Sequence, residues 1–248
     1  MARAERTDDV LHVTFDRPEK RNALRRADVD EITGLLDDPG LRAVVFRGAG
    51  DRAFSAGVDI GEFLALDGPD AARSFITALR DLLAAVRTVP AVTICVIDGH
   101  CLGGAFELAL AADLRVVSTR ARFGLPEVRL GIPSVIDAAL LQQFVGLGHA
   151  KEMILTGDVY PVDAPQVAAL CGRPIAPEGL EAAVADLLGR VGGHTRTVVA
   201  AQKRLFETWQ STPLAEGAAR SIDEFAGVFA ADDTRAALAA YRSSLGAG

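Results

Sequence analysis

Short β-rich runs alternate with longer helical patterns through the first half of the chain, and this alternation restricts the possible folds more than any single motif does. Residues 10–15, 43–47, 92–97 and 114–118 join β-branched and apolar side chains, whereas 28–36, 71–86 and 104–112 have helical composition or spacing. Such an order implies βα units with largely parallel pairing. Beyond about residue 140 the strand signals fade and Ala-rich amphipathic segments follow at 140–145, 150–155, 177–188, 195–208, 214–229 and 233–245. The expectation is an α/β first half and a mostly helical remainder. No exact repeat or low-complexity linker interrupts it, and Gly192-Gly193 reads either as a hinge or as a plain helix terminator.

Charge and cysteine usage then exclude several functions. The formal net charge of -7 repels phosphate-rich polymers, and no Lys/Arg stripe with interleaved aromatics offsets it, so nucleic acid is not an expected partner. Three cysteines, Cys95, Cys101 and Cys171, lack metal-type spacing and suit neither a disulfide framework nor structural zinc. The start MARAERTDDV has no apolar signal core, and no run is long enough for a membrane span, so a soluble, cytoplasmic protein with reduced thiols is expected. At 248 residues, half of them hydrophobic, the chain can bury a substantial core.

The segment GHCLGGAFELALAAD at 99–113 places one acid, Glu107, in a small and apolar run. Residues 92–97 read as a buried strand, and 98–104 as the turn into a helix starting near Gly104. Free N–H groups at a helix start favour an oxygen gaining negative charge, and glycine lets a ligand approach the backbone. Glu107, three residues on, shares the face of Gly104 and leans towards the helix start. The plainer reading is an acid that complements the helix dipole, worth about 0.3 to 1 kcal/mol.

A second acid, Glu127, stands in ARFGLPEVRLGIP at 121–133, either a site group at a strand end or an ordinary loop charge. A third stretch, RAFSAGVDI at 52–60, has a tight turn at Gly57 from which the Val58 N–H could serve as a second donor. Its plainer reading is a strand-to-helix turn capped by Asp59.

Taken in order, RPEKRNAL at 17–24, AFSAGVDI at 53–60, GHCLGGAFELALAADLRV at 99–116, ARFGLPEVRLGIP at 121–133 and LTGD at 155–158 strongly resemble the enoyl-CoA hydratase/isomerase, or crotonase, superfamily. The resemblance is tightest over about residues 10–160 and continues loosely to the end of the chain. It implies an α/β crotonase-like spiral of ββα units over 1–190, a helical trimerisation region over 191–248, and assembly as a homotrimer or hexamer. It also implies an acyl-CoA thioester substrate, with coenzyme A present only as part of that substrate and no redox cofactor or metal. By position Val58 and Gly104 would supply two oxyanion-hole amides. Asn22, Ala23, Leu24, Ala56 and Asp59 would border the CoA moiety, Arg25 or Arg26 would approach its phosphates, and Arg242 would assist from the C-terminal helices.

Two glutamates, Glu107 as water-activating base and Glu127 as proton donor, would fit hydration of a trans-2-enoyl-CoA, with the roles open to sharing. Other outcomes on such a scaffold are double-bond isomerisation, decarboxylation, hydrolysis, carbon-carbon bond formation, or a non-catalytic acyl-CoA-binding subunit. The segment GIPSVIDAALL at 131–141 departs from the glycine-rich loop of many hydratases and is one residue shorter. Asp137 there reads either as an extra acid/base or, with Ser134, as a helix-start pair. Cys101 reads as a small buried thiol, His100 as a turn or ligand-facing group, His149 and His194 as surface or cap residues. Trp209, Phe225, Phe229 and Tyr241 read as packing or subunit contacts.

Overall fold

The computed structural model describes residues 2–245. Nine strands, β1 Ala2–Thr7, β2 Val10–Phe15, β3 Ala43–Gly48, β4 Ala53–Ser55, β5 Val92–Ile97, β6 His100–Leu102, β7 Leu114–Val117, β8 Arg122–Gly124 and β9 Val159–Pro161, build two sheets. The larger runs β1-β2-β3-β5-β7 and the smaller β4-β6-β8-β9. Pairing is parallel except at the two edges, β1 on β2 and β9 on β8. Each of β3, β5 and β7 feeds the larger sheet and its successor feeds the smaller one, so the chain spirals in repeated ββα turns.

The apolar runs of the larger sheet are continuous because both of its faces are covered. Val44 and Phe46 of β3, Cys95 and Ile97 of β5 and Val117 of β7 face the main core, while Val45, Ile94, Val96 and Val116 face a second cluster. Among the described residues the α-helices are α1 Arg26–Leu35, α2 Ile60–Leu64, α3 Gly68–Thr88, α4 Gly104–Ala111, α5 Leu141–Thr156, α6 Ala168–Cys171, α7 Leu180–Val191, α8 Arg196–Ser211, α9 Leu214–Val228 and α10 Asp232–Leu245. Helix α7 closes the second cluster with Leu180 and Val184, one helical turn apart. Helices α1, α3 and α4 cover the other face. Every side chain of α4 is buried, so it runs through the core rather than along its surface.

Several expectations need correction. β1 lies in a charged segment that carries no strand pattern, and β4, β6, β8 and β9 are three residues each, too short to show one. His100–Leu102, expected as turn, is therefore strand β6. The segments expected at 140–145 and 150–155 join as α5 across a break at Gly146, where φ is 78°. Gly192 ends α7 as the terminator reading has it.

Lys203 ties α8 to this core. It is 4% exposed and donates to Val86 O at 3.0 Å, Ala91 O at 3.1 Å and Asp113 Oδ2 at 2.7 Å. Asp113 also accepts from the Thr93 N–H and hydroxyl, so the ion pair is saturated. Lys203→Met strips one partner from a buried pair, an expected loss of about 3 to 5 kcal/mol and a Tm lower by about 6 to 20 °C. Calorimetry checks this, and a melt within a degree of the parent would contradict it.

Candidate active site

Parallel pairing of β4 with β6 sets the turns after them side by side. Gly57 has φ +89°, and a Cβ there would stand 2.6 Å from Leu102 O and 3.2 Å from Gly104 N. Gly103 has φ +56°, and its Cβ would stand 2.6 Å from Glu127 Oε1. Only glycine fits either position, which lets the two turns and the Glu127 carboxylate close on one another.

Hydrogen bonds around both turns leave two amides out. The Leu24 N–H donates to Gly57 O and the Asp59 N–H to Leu24 O, both at 2.8 Å, and the Gly57 N–H donates to Ser55 Oγ at 3.1 Å. On the other turn the Gly103 N–H donates to Gly124 O at 3.0 Å. Among the described residues the Val58 N–H has no protein acceptor, and Gly104, as first residue of α4, has no intrahelical one. Val58 Cγ2 lies 3.5 Å from the Cβ position of Gly104, so the two amides belong to abutting turns. Together with the start of α4 they suit an oxygen that gains negative charge.

Glu107 sits one turn into α4 and is 3% exposed. Its Oε2 accepts from the N–H groups of Asp137 at 2.9 Å and Ala138 at 3.2 Å. Burial pushes its carboxyl up to about 8, the charge of Glu127 adds to the rise, and the two amides oppose it. Glu127 lies in the 3-10 turn Pro126–Leu130 that follows β8, and its Oε2 accepts from the Ser134 hydroxyl at 3.0 Å. Burial raises its carboxyl as well. Burial and the neighbouring Glu127 charge thus both favour the protonated form of Glu107.

The segment between the acids is not the helix-start pair that Ser134 and Asp137 suggested. Ser134 turns to Glu127, while the Asp137 N–H turns to Glu107 and its carboxylate pairs with Arg87 at the end of α3. The Asp137 carboxylate, the other candidate acid/base, is engaged by that guanidinium. Ile136 before it has φ +50°, a left-handed conformation that costs a β-branched residue about 1 to 3 kcal/mol and persists only where neighbours fix it. Arg87 carries no sequence signal of its own. It is one basic residue in the last turn of an amphipathic helix, as the C-terminal dipole alone would favour.

The expected CoA-bordering residues divide into those whose segments run beside the Val58 amide and those whose side chains are already engaged. An isolated parallel bridge joins Leu24 to Val58, so the segments holding Asn22, Ala23, Leu24, Ala56 and Asp59 do run beside the Val58 amide. The Asn22 side chain is not free, however. At φ +58° and 1% exposure, its Oδ1 accepts from the Arg17 N–H and its Nδ2 donates to Ala49 O and Ala53 O. It pins the turn. Asp59 caps α2 through the Gly61 N–H and pairs with Arg17 at 2.9 Å, as the cap reading has it.

Arg25 is forked onto Asp28, and Arg26 onto Asp30, so neither guanidinium is unpaired. Arg242 is exposed on α10 and has no hydrogen bond or ion pair among the described residues. Cys101 is fully buried and its thiol is pushed well above the usual range, which fits the inert reading. His149 faces Glu152 on the surface of α5.

A cavity of about 760 Å³ lies between α8 and the C-terminal end of α4. Leu110, Leu114, Phe144, Val198 and Phe206 make it apolar, Arg87 and Glu207 stand at its wall, and neither Glu107 nor Glu127 lines it. Among the described residues no three His, Cys, Asp or Glu side chains cluster as metal ligands, and no helix is long and apolar enough to cross a membrane.

Paired sheets winding in ββα turns, with a helical C-terminal region, form the crotonase fold. The chain is an enzyme of the enoyl-CoA hydratase/isomerase family, whose sequence pattern matches residues 5–245. It is 28% identical over 242 residues to a crotonyl-CoA hydratase of Syntrophomonas wolfei, covering 96% of this chain and 93% of that one. It is 32% identical over 246 residues to a probable enoyl-CoA hydratase of Mycobacterium bovis, with the same coverage. The crystal structure of an enoyl-CoA hydratase from Bacillus anthracis superposes with a TM-score of 0.88 at 25% identity, over 98% of this chain and 96% of that one.

The raised carboxyl of Glu107 has a consequence for stability. An acid whose folded pKa lies above its unfolded value stabilises the fold at low pH, and that contribution is lost as pH rises from about 4.5 through about 8. Glu107→Gln keeps the shape and never ionises. Its Tm advantage over the parent should therefore grow between pH 6 and pH 9 in paired thermal melts. A constant difference would contradict the burial of an ionisable acid there.

Proposed function

We propose that the enzyme adds water across the 2,3 double bond of a trans-2-enoyl-CoA thioester. The observation that carries this reading is the placing of two acids, buried Glu107 and half-buried Glu127, against the two-glycine turn, in surroundings that raise both carboxyls. Hydration needs one carboxylate to receive a proton and one carboxylic acid to give one.

The thioester oxygen would lie against the Val58 and Gly104 amides. Water held between the acids loses a proton to the ionised carboxylate as its oxygen bonds to C3. The double-bond electrons move towards C2 and the thioester oxygen, and the protonated acid then delivers its proton to C2. Two preorganised amides stabilise the enolate oxygen, and the loss of one such donor costs about 2.7 to 4 kcal/mol. The expectation from sequence makes Glu107 the base and Glu127 the acid. Burial favours the protonated form of Glu107, so the two share the roles and the pH profile belongs to the pair.

Coenzyme A enters as part of the substrate only, with the 22–25 and 56–59 segments bordering it through their backbone. The C-terminal region 191–248, whose last three residues lie outside the described ones, acts as the oligomerisation region of a cytoplasmic homotrimer or hexamer built on the 1–190 core. Support comes from its exposed apolar side chains, among them Ile222 at 69%, Phe225 at 68% and Tyr241 at 65%.

Incubation with a short trans-2-enoyl-CoA should remove the conjugated thioester absorbance and yield a product heavier by one water. Glu107→Gln and Glu127→Gln should each slow this by about 100-fold or more. A product of unchanged mass would replace hydration by isomerisation. Full activity in both variants would overturn the role of the pair.

A further inference from the structure

Asp137 does two things at once. Its N–H holds Glu107, and its side chain, 8% exposed, turns away onto Arg87 in the last turn of α3. Arg87 is held in turn through Nε by Glu207 of α8 at 3.2 Å. A continuous chain of polar contacts thus runs from the C-terminal helices to the acid pair. The peptide it reaches is one that will not hold itself, since Ile136 is in the left-handed region and the next two amides both aim at one carboxylate oxygen.

We propose that Arg87 is a positioning residue for the reaction: by clamping and neutralising the Asp137 carboxylate, it fixes the 136–138 backbone whose amides orient Glu107. The inference rests on the glutamate pair working as proposed above. Arg87 itself touches neither glutamate among the hydrogen bonds and ion pairs of the described residues. The charged groups facing Glu107 are Glu127 from the turn after β8 and Asp137 from the turn before α5. Arg87 of α3 and Glu207 of α8 stand behind Asp137. Asp137 therefore has an electrostatic effect separable from its backbone one, because its negative charge favours the protonated pair while its amide favours the ionised one.

The test is the pH dependence of enoyl-CoA hydration by the full chain. Asp137→Asn removes both the charge and the carboxylate that Arg87 grips, so kcat should fall as in Arg87→Met while the upper limb of the profile moves down. Arg87→Met should lower kcat about 10- to 100-fold through misplacement of Glu107. It should leave KM within about two-fold, since Arg87 does not border the thioester. Arg87→Lys should recover most of that loss.

A parental kcat in Arg87→Met or in Asp137→Asn overturns the proposal. Should Arg87→Met fail to fold, the kcat of Asp137→Asn decides alone. Glu107→Gln separates the two levels. If it turns over at the parental rate, the reading of the acid pair fails. If it is inactive while Asp137→Asn keeps the parental kcat, only the role of Arg87 fails.

Discussion

One buried carboxylate governs the site. Glu107 is enclosed by an all-buried helix, and the amides of Asp137 and Ala138 are what make its ionised form tolerable there. Burial of an unpaired charge would cost several kcal/mol, so the group either binds a proton or is held by donors of fixed direction. Here both occur. Burial favours the protonated form, and the donors are in place for the ionised one. An acid able to exchange a proton near neutrality is the outcome, and it follows from location rather than from any special residue type.

The spiral makes that location possible. Parallel pairing of β4, β6 and β8 brings three strand ends together, and each continues into a different part of the cleft. The end of β4 continues to Gly57 and Val58, the end of β6 to Gly103 and Gly104, and the end of β8 to Glu127. Gly57 and Gly103 allow an approach that any Cβ would prevent. The larger sheet, buried on both faces, supplies the rigid support that these three short strands cannot supply alone.

Sequence legibility follows the same physics. Strands β2 and β5 were legible to the residue because their apolar runs are long and bounded by turns, and α4 was legible because a glycine pair precedes a small-residue run. The strands that align the site were not, since three residues leave no period and their pairing comes from neighbours. Both glutamates were legible from position and resemblance. What holds them was not. Glu107 finds its donors 30 residues on, and Asp137 finds Arg87 50 residues back, separations that no local pattern encodes. The bonds of the Asn22 side chain are hidden for a related reason, because they reach across to Ala49 and Ala53 and pin two loops together.

The titration of the acid pair can be observed directly by carbon-13 NMR of the glutamate side-chain carboxyls across pH, in the parent and in Glu127→Gln. The account predicts one carboxyl titrating near 8 in the parent and at lower pH once its neighbour cannot carry charge. Titration of every glutamate carboxyl below about 5 in the folded parent would contradict it.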